Sequence, residues 1–145
     1  MNNKMKLEFT AIAQNELLAR NAVATFVLRM NPTIDQIVEI KTAVSEAVTN
    51  AIVHAYGEGN GTITVKANIV KDVVHIEVSD KGCGIPDVNK AMEPFFTTAV
   101  EQERSGMGFS VMRCFMDEIS VVSHTGKGTK VKLKKRVGVT DEANN

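Results

Sequence analysis

Residues 46–54 read EAVTNAIVH and place three polar side chains, Glu46, Asn50 and His54, at intervals of four residues. Side chains at this spacing stack along one edge of a helix, with a drift of about 40° per step. That edge flanks the apolar stripe, so a carboxylate and a carboxamide are expected at the border of the core. Such oxygens suit Mg²⁺, which takes few protein ligands and completes its shell with water and phosphate oxygens. Taken alone, the pattern also fits solvated residues on an ordinary helix surface.

A long helix is predicted around this stretch. Thr33 begins it, and Gln36 three residues later completes the pattern of a capping box. Gly57, the first residue of the glycine-rich loop GEGNG, is expected to end it, which gives a length of about 22 residues. Its apolar face is formed by Ile37, Ile40, Val44, Val48, Ala51 and Ile52.

A strand and another helix are predicted upstream of Thr33. Apolar and polar residues alternate over residues 6–13, which indicates a half-buried strand. Asn15 is expected to cap a helix that runs to about Met30. The pair Asn31-Pro32 ends that helix, because the residue before a proline is pushed out of the helical region.

Two hairpins and a short helix are predicted downstream. Alternation over residues 62–69 and 73–79 indicates an antiparallel hairpin. A helix is expected over residues 108–116, and a second hairpin is expected from residues 119–124 and 129–135. The last strand has a basic outward face, which is typical of an edge strand. That face carries Lys130, Lys132 and Lys134.

This order of elements predicts an α+β fold. Two adjacent hairpins favour a mostly antiparallel sheet, and three helices can bury their stripes only on one face of it, as a two-layer sandwich. No linker divides the chain, so residues 1–136 are expected to form a single domain. Residues 137–145 are polar and unpatterned, and a flexible C-terminal tail is expected there.

Composition excludes several classes of protein. The chain has 145 residues, of which 43% are hydrophobic and 23% charged, as in a soluble globular domain. Its 17 basic and 17 acidic residues give no net charge, which argues against direct binding to nucleic acid or to an anionic membrane. It has no apolar run near the roughly 20 residues of a membrane helix and no signal-peptide core at its N-terminus. Cys83 and Cys114 form no CxxC pair, so reduced thiols and a cytoplasmic location are expected.

Asp80 ends the predicted strand 73–79 and continues its inward face. A carboxylate in such a place needs hydrogen-bond donors, and the exocyclic amino group of adenine is a suitable one. Gly82 and Gly84 follow at once, and glycine lets a flat ring or another backbone approach closely. An ordinary Asp-Gly turn is the alternative interpretation of the same residues.

Glycine pairs mark two further places in the chain. Residues 105–109 read SGMGF directly before a predicted helix, where exposed backbone N–H groups and the helix dipole favour an anion. Gly128-Thr129 occupies the turn of the last hairpin, and alone it indicates only a turn followed by a strand. The chain has no GxxxxGK[ST] P-loop and lacks the HRD and DFG signatures of eukaryotic-type protein kinases.

Together and in this order, these motifs resemble those of the GHKL ATPase superfamily. Residues 46–54 resemble its N box, residues 80–84 its G1 box, residues 93–98 its F box and residues 106–109 its G2 box. The resemblance extends over roughly residues 35–135 and implies the two-layer ATP-binding fold of that superfamily, also called the Bergerat fold.

Within that superfamily, the chain is similar to the anti-sigma-F family of spore-forming bacilli, whose members are serine-protein kinases. Residues 45–54, 96–98 and 104–109 carry this likeness. It implies ATP or ADP and Mg²⁺ as ligands. It implies three partners: a sigma factor held in the ATP-bound state, an anti-anti-sigma protein phosphorylated on serine, and a second copy of the chain.

The resemblance also implies roles for single residues. Asn50 would coordinate Mg²⁺, and Glu46 would be the general base toward the acceptor serine. Asp80 would accept from the adenine amino group with help from Thr129, and residues 93–105 would form a lid. Phe109 stands where the family usually has leucine. The other nucleotide contacts implied are Gly82, Gly84, Thr97, Thr98, Ser105, Gly106, Met107 and Gly108.

The first helix is a candidate for partner contact. Arg20 lies away from its apolar stripe and is expected to be exposed, although a plain surface arginine is the simpler interpretation. Two other functions stay open: a nucleotide-gated anti-sigma binding module without important kinase activity, and an ATPase that drives a conformational cycle. Glu46 argues against the first, and the absence of a transducer domain argues against the second.

Overall fold

A computed structural model describes residues 2–56, 61–82, 92 and 108–138 of the chain. Five strands form one sheet in the order β1-β2-β3-β5-β4, and every neighbouring pair is antiparallel. The predicted α+β class is therefore confirmed. The elements are β1 (Asn2–Thr10), α1 (Gln14–Val27), α2 (Ile34–Asn50), β2 (Thr62–Val70), β3 (Val73–Asp80), α3 (Gly108–Phe115), β4 (Glu118–His124) and β5 (Gly128–Arg136).

The helices cover one face of the sheet, and the core lies between the two layers. Alternate residues of the central strands are buried, while those between them are exposed or half-buried, as expected of a sheet with one covered face. Helices α1 and α2 pack against each other, and α3 packs along α2. The largest fully buried side chains are Ile40, Ile63, Ile69, Ile76, Met112 and Leu133.

The N-terminal elements differ in detail from the prediction. Strand β1 begins at Asn2 and pairs with β2 along its whole length, so it starts earlier than the alternation alone indicated. Asn15 does not cap α1. It lies in the first turn and its Nδ2 donates to the carbonyl of Thr10 at 2.9 Å, which ties the helix to the end of β1.

Helix α2 begins with the predicted capping box. The backbone N–H of Gln36 donates to Thr33 Oγ1 at 3.1 Å, and the N–H of Thr33 donates to Gln36 Oε1 at 2.9 Å. The regular α-helix ends at Asn50 and widens into a π-helical segment over Ala51–Tyr56. The predicted end at Gly57 lies outside the described residues.

The prediction of a basic edge strand was wrong. β5 pairs with β3 on one side and with β4 on the other, so β1 and β4 form the two edges. A hairpin fixes which two strands are neighbours, but it does not fix which of them joins the rest of the sheet. Some of the basic residues of β5 form ion pairs, as between Lys134 Nζ and Glu118 Oε2 at 3.4 Å.

The described chain continues past the predicted domain boundary at residue 136. Val137 is buried and its N–H donates to the carbonyl of Asp72 at 2.8 Å. The N–H of Gly138 donates to Gln36 Oε1 at 3.1 Å. These two residues are packed onto the domain, and the rest of the predicted tail lies outside the described residues.

No helix within the described ranges is both long and apolar enough to cross a membrane.

Candidate functional site

The predicted polar edge of α2 meets the beginning of α3. A Cβ atom built on Gly108 would lie 2.9 Å from Asn50 Nδ2, 3.3 Å from Asn50 Oδ1 and 3.3 Å from Glu46 Oε2. Any side chain at Gly108 would therefore press on these two side chains, and only glycine leaves them in place. We call Glu46, Asn50 and Gly108 the helix cluster. The structure brings its three members together as the N box and G2 box resemblance implies.

The helix cluster has the chemistry of a site for Mg²⁺ and phosphate. It combines one carboxylate and one amide oxygen, both hard ligands, beside the first backbone N–H groups of α3, which have no acceptor within the helix. No group of three or more His, Cys, Asp and Glu side chains converges among the residues described here. Mg²⁺ is often held by one or two protein oxygens together with phosphate, so this donor set fits it.

Asp80 lies at the end of β3, half-buried, with one carboxylate oxygen held by the backbone. Its Oδ1 accepts from the N–H of Gly82 at 2.9 Å and from the N–H of Thr129 at 3.3 Å. Burial raises the pKa of the Asp80 carboxyl above its ordinary value of 3.8, and the two backbone hydrogen bonds lower it in part. Both hydrogen bonds end on Oδ1, so the carboxylate is fixed in orientation while Oδ2 takes neither of them.

The turn before β5 closes over Asp80. Gly128 has φ +105°, and a Cβ atom there would collide with the backbone of Asp80 and would lie 2.7 Å from Lys81 Cα. Only glycine permits both this backbone conformation and this close approach. Thr129 pairs with Asp80 in the β3–β5 register, as its predicted place beside Asp80 requires.

Ser123 is a member of this group that sequence reasoning missed. Its Oγ lies 2.8 Å from Thr129 Oγ1 and donates to the carbonyl of Gly128 at 3.2 Å. Ser123 faces Thr129 across the β4–β5 ladder. The register of the predicted hairpin could have indicated this pair, because residues opposite each other in a ladder share a face. We call Asp80, Gly82, Ser123, Gly128 and Thr129 the strand cluster.

Several predicted site residues lie outside the described part of the chain. They include the second glycine of the G1 box, the whole F box, the proposed lid and the first residues of the G2 box. The site residues concerned are Gly84, Thr97, Thr98, Ser105, Gly106 and Met107.

Arg20 is less exposed than predicted. Its side chain is 37% exposed, and its Nε lies 3.2 Å from Oε2 of Glu16, one turn earlier on α1. The two atoms form an ion pair without the alignment of a hydrogen bond. The side chain that was expected to be exposed is therefore only partly exposed, because the acidic residue four positions earlier covers part of it.

The chain is similar to known proteins over nearly its whole length. Residues 9–135 match a family described as the histidine kinase-like ATPase domain. An anti-sigma F factor of Caldanaerobacter subterraneus subsp. tengcongensis is 55% identical over 137 residues, which cover 94% of this chain and 96% of that one. The anti-sigma F factor of Clostridium beijerinckii is 50% identical over 95% of this chain and 97% of its own.

Solved structures with this fold include more distant proteins. The RsbU and RsbW domains of Rv1364c from Mycobacterium tuberculosis match with a TM-score of 0.68 at 20% identity, over 95% of this chain and 35% of that one. The catalytic domain of histidine kinase ThkA matches with a TM-score of 0.58 at 21% identity, over 92% of this chain and 97% of that domain. At these identities the likeness bears on the fold alone.

Proposed function

The chain belongs to the histidine kinase-like ATPase domain family and, within it, to the anti-sigma F factors, and from this membership we propose that it is a Mg-ATP-dependent protein-serine kinase that also sequesters a sigma factor. The observation that carries the kinase part is the contact of Gly108 with Asn50 and Glu46. It puts a metal-type ligand, a carboxylate and the beginning of a helix within one small volume. Phosphoryl transfer needs this combination of positioning and charge neutralisation.

In this proposal, the helix cluster handles the phosphate end of ATP. Asn50 Oδ1 holds Mg²⁺, and the backbone N–H groups at the start of α3 receive phosphate oxygens. Bound Mg²⁺ neutralises the charge that the phosphates carry. Gly106, Ser105 and Met107 of the same motif are proposed to contribute further phosphate contacts, with Thr97 and Thr98 on the lid.

Glu46 is the proposed general base. An acceptor serine hydroxyl attacks the γ-phosphorus, its proton passes to the Glu46 carboxylate, and the bond from the γ-phosphorus to the oxygen of the leaving ADP breaks. Glu46 Oε2 would lie only 3.3 Å from a methyl group on Gly108, so the carboxylate is beside the beginning of α3, the end that we propose to bind phosphate. This position is what a base needs, since it must reach the nucleophile beside the phosphate.

The strand cluster is proposed to hold the adenine ring. Asp80 accepts from the exocyclic amino group, and because its Oδ1 already receives two backbone N–H groups, Oδ2 is the oxygen we assign to that contact. Thr129 assists directly or through water. Gly82 and Gly84 allow the flat ring to approach the backbone closely.

The partners follow from the names of the relatives and from the family resemblance. The sigma factor is held in the ATP-bound state, and an unphosphorylated anti-anti-sigma protein displaces it and is then phosphorylated on serine. A second copy of the chain is proposed as a partner in a homodimer. Arg20 is proposed to contact a partner, and its ion pair with Glu16 would have to open or take part.

Transfer of the γ-phosphate tests the kinase proposal. The chain is mixed with Mg²⁺, labelled ATP and an anti-anti-sigma protein, and label on serine is measured for the wild type and Glu46→Gln. Glu8→Gln is the matched control, because it makes the same chemical change on the exposed β1. We expect transfer by the wild type and Glu8→Gln, and loss of transfer in Glu46→Gln. Absence of transfer by a wild-type chain that binds both ATP and the acceptor would contradict the proposal and leave the nucleotide-gated binding module.

A further inference from the structure

Lys135 is the one polar or charged residue that is buried among the described residues, with 8% of its surface exposed. It lies on β5 and faces the helical layer, as do Val131 and Leu133 of the same strand. An apolar side chain could fill this place without the cost of removing an ammonium group from water. The ammonium group therefore supplies something that packing alone does not, namely directed contacts.

These contacts join three elements at one atom. Lys135 Nζ donates to the carbonyl of Phe115 at 2.6 Å and lies 3.5 Å from Glu39 Oε1 on α2. Phe115 is the last residue of α3, and a carbonyl at a helix end has no partner within the helix. A cation at this end is also favoured by the helix dipole.

Strand β5 holds the same end of α3 through its backbone. The N–H of Asp117 donates to the carbonyl of Lys134 at 2.9 Å, and the N–H of Arg136 donates to Asp117 Oδ2 at 2.6 Å. Lys135 stands between Lys134 and Arg136 in the strand, and its ammonium group lies 3.5 Å from Glu39 Oε1 on α2, whereas Lys134 pairs with Glu118 and Arg136 with Asp72. The link from β5 to α2 thus passes through its side chain.

The other end of α3 meets the helix cluster. Gly108 lies against Asn50 and Glu46, while Phe115 shares Lys135 with Glu39, which is seven residues before Glu46 on the same helix. Residues seven apart share one face of a helix, so α3 runs antiparallel along the face of α2 that carries the candidate base. An eight-residue helix is a rod of about 12 Å, and a shift at its end moves its beginning as well.

We propose that Lys135 is a positioning residue that sets the place of α3 along α2 and thereby holds Gly108 against Asn50 and Glu46. The proposal rests on the proposed function in one respect, namely that the beginning of α3 receives the phosphates. The placement of α3 along α2 can be measured without assuming that α3 receives phosphates.

The test compares Lys135→Met with Lys132→Met. Methionine keeps an unbranched side chain of similar length and removes the ammonium group. Lys132 is on the same strand but exposed on the opposite face, so it controls for the loss of a charge. Glu39→Gln is the second variant, because it removes the carboxylate and leaves the bond from Lys135 to Phe115 in place.

Hydrogen exchange of the α3 amides is the first readout, and the ratio of the Kd values for adenosine and ATP in the presence of Mg²⁺ is the second. For Lys135→Met we expect exchange in α3 to accelerate about tenfold or more relative to exchange in the paired strands β1 and β2. We expect the Kd for ATP to rise roughly 5- to 20-fold with that for adenosine unchanged, because adenosine has no phosphate to meet α3. Glu39→Gln should give a smaller change of the same kind, and Lys132→Met none.

A purely structural lysine would give another pattern. Equal loss of adenosine and ATP binding, or unchanged ATP binding in spite of faster exchange in α3, would overturn the positioning role. A wild-type chain that binds no ATP would instead refute the proposed function. Hydrogen exchange of the α3 amides would then be the one remaining test of the positioning role of Lys135. In that case, equal rates of hydrogen exchange in α3 of Lys135→Met and Lys132→Met would overturn the positioning role. If Lys135→Met does not fold, Glu39→Gln is judged by the same two readouts.

Discussion

In the helix cluster, side chains of α2 carry the polar atoms, and Gly108 of α3 contributes space. In the strand cluster, the backbone does most of the holding: two N–H groups fix Asp80, and the φ of +105° at Gly128 brings the turn onto it. Substitutions in the helix cluster can therefore change the chemistry of the site without changing the fold. The strand cluster is part of the sheet, so substitutions in it should affect stability and binding together.

The largest stability effect should come from Gly128→Ala. The added methyl group would collide with the backbone of Asp80, and the positive φ disfavours any L side chain. We expect a loss of about 3 kcal/mol or more in the free energy of unfolding, measured by urea denaturation. Gly126→Ala is the control, because Gly126 has φ +80° but nothing within 4 Å of its Cβ position, so only about 1 kcal/mol should be lost. Equal losses for the two variants would contradict the close approach to Asp80.

Gly108→Ala should show the opposite pattern, a small effect on stability and a large one on binding. Its methyl group would meet the ends of the Asn50 and Glu46 side chains, which can turn away, and alanine favours a helix. We expect the free energy of unfolding to change by no more than about 0.5 kcal/mol while the Kd for ATP rises roughly tenfold. Calorimetric titration and urea denaturation on the same samples measure both. Unchanged ATP affinity would place the nucleotide elsewhere.

Asp80 gives the strand cluster a pH dependence of defined sign. Burial raises the pKa of Asp80 in the folded chain, so the folded state holds this proton more tightly than the unfolded state does. The contribution of Asp80 to stability is therefore greatest below 3.8, its ordinary pKa, and falls as the pH rises from there through the raised folded value. Asp80→Asn should remove this fall. Denaturation curves from pH 3 to 7 that differ between the two chains by a constant would contradict the burial of Asp80.

Ser123→Ala should have the smallest effect. It removes the hydroxyl that lies 2.8 Å from Thr129 Oγ1 and leaves the backbone of the turn in place. We expect a weakening of ATP binding by about 0.5–1 kcal/mol, the lower part of the usual worth of one hydrogen bond, because the hydroxyl acts only through Thr129. Ser120→Ala on the exposed face of β4 is the control. A loss as large as that of Asp80→Asn would mean that Ser123 contacts the nucleotide itself.

The sequence predicted the fold class, and it singled out every residue of the two clusters except Ser123, for definite reasons. The spacing of Glu46 and Asn50 follows from helical geometry, and the alternation of Val74, Ile76 and Val78 extends to Asp80. The capping box of Thr33 and Gln36 is a local interaction, so the local sequence was enough to place the beginning of α2.

What the sequence did not predict depends on tertiary contacts. The place of β5 inside the sheet follows from its pairing with β3, which no local pattern encodes. Ser123 joins the site through the register of the β4–β5 ladder, and Lys135 joins α3 to α2 through the Phe115 carbonyl and the Glu39 carboxylate. The change from α- to π-helix after Asn50 also had no signal in the apolar spacing.

The most direct test of the division between the clusters measures ATP affinity and phosphate transfer to serine on the same samples of Glu46→Gln and Asp80→Asn. We expect Glu46→Gln to keep its ATP affinity within about threefold and to lose transfer by roughly 10²- to 10⁴-fold, the usual worth of a general base. Asp80→Asn should bind ATP at least about tenfold more weakly and keep transfer at saturating ATP, since Asp80 has no role in the transfer step. Transfer by Glu46→Gln at the wild-type rate would contradict the assignment of Glu46 as the base, and with it the proposed division of roles between the helix cluster and the strand cluster.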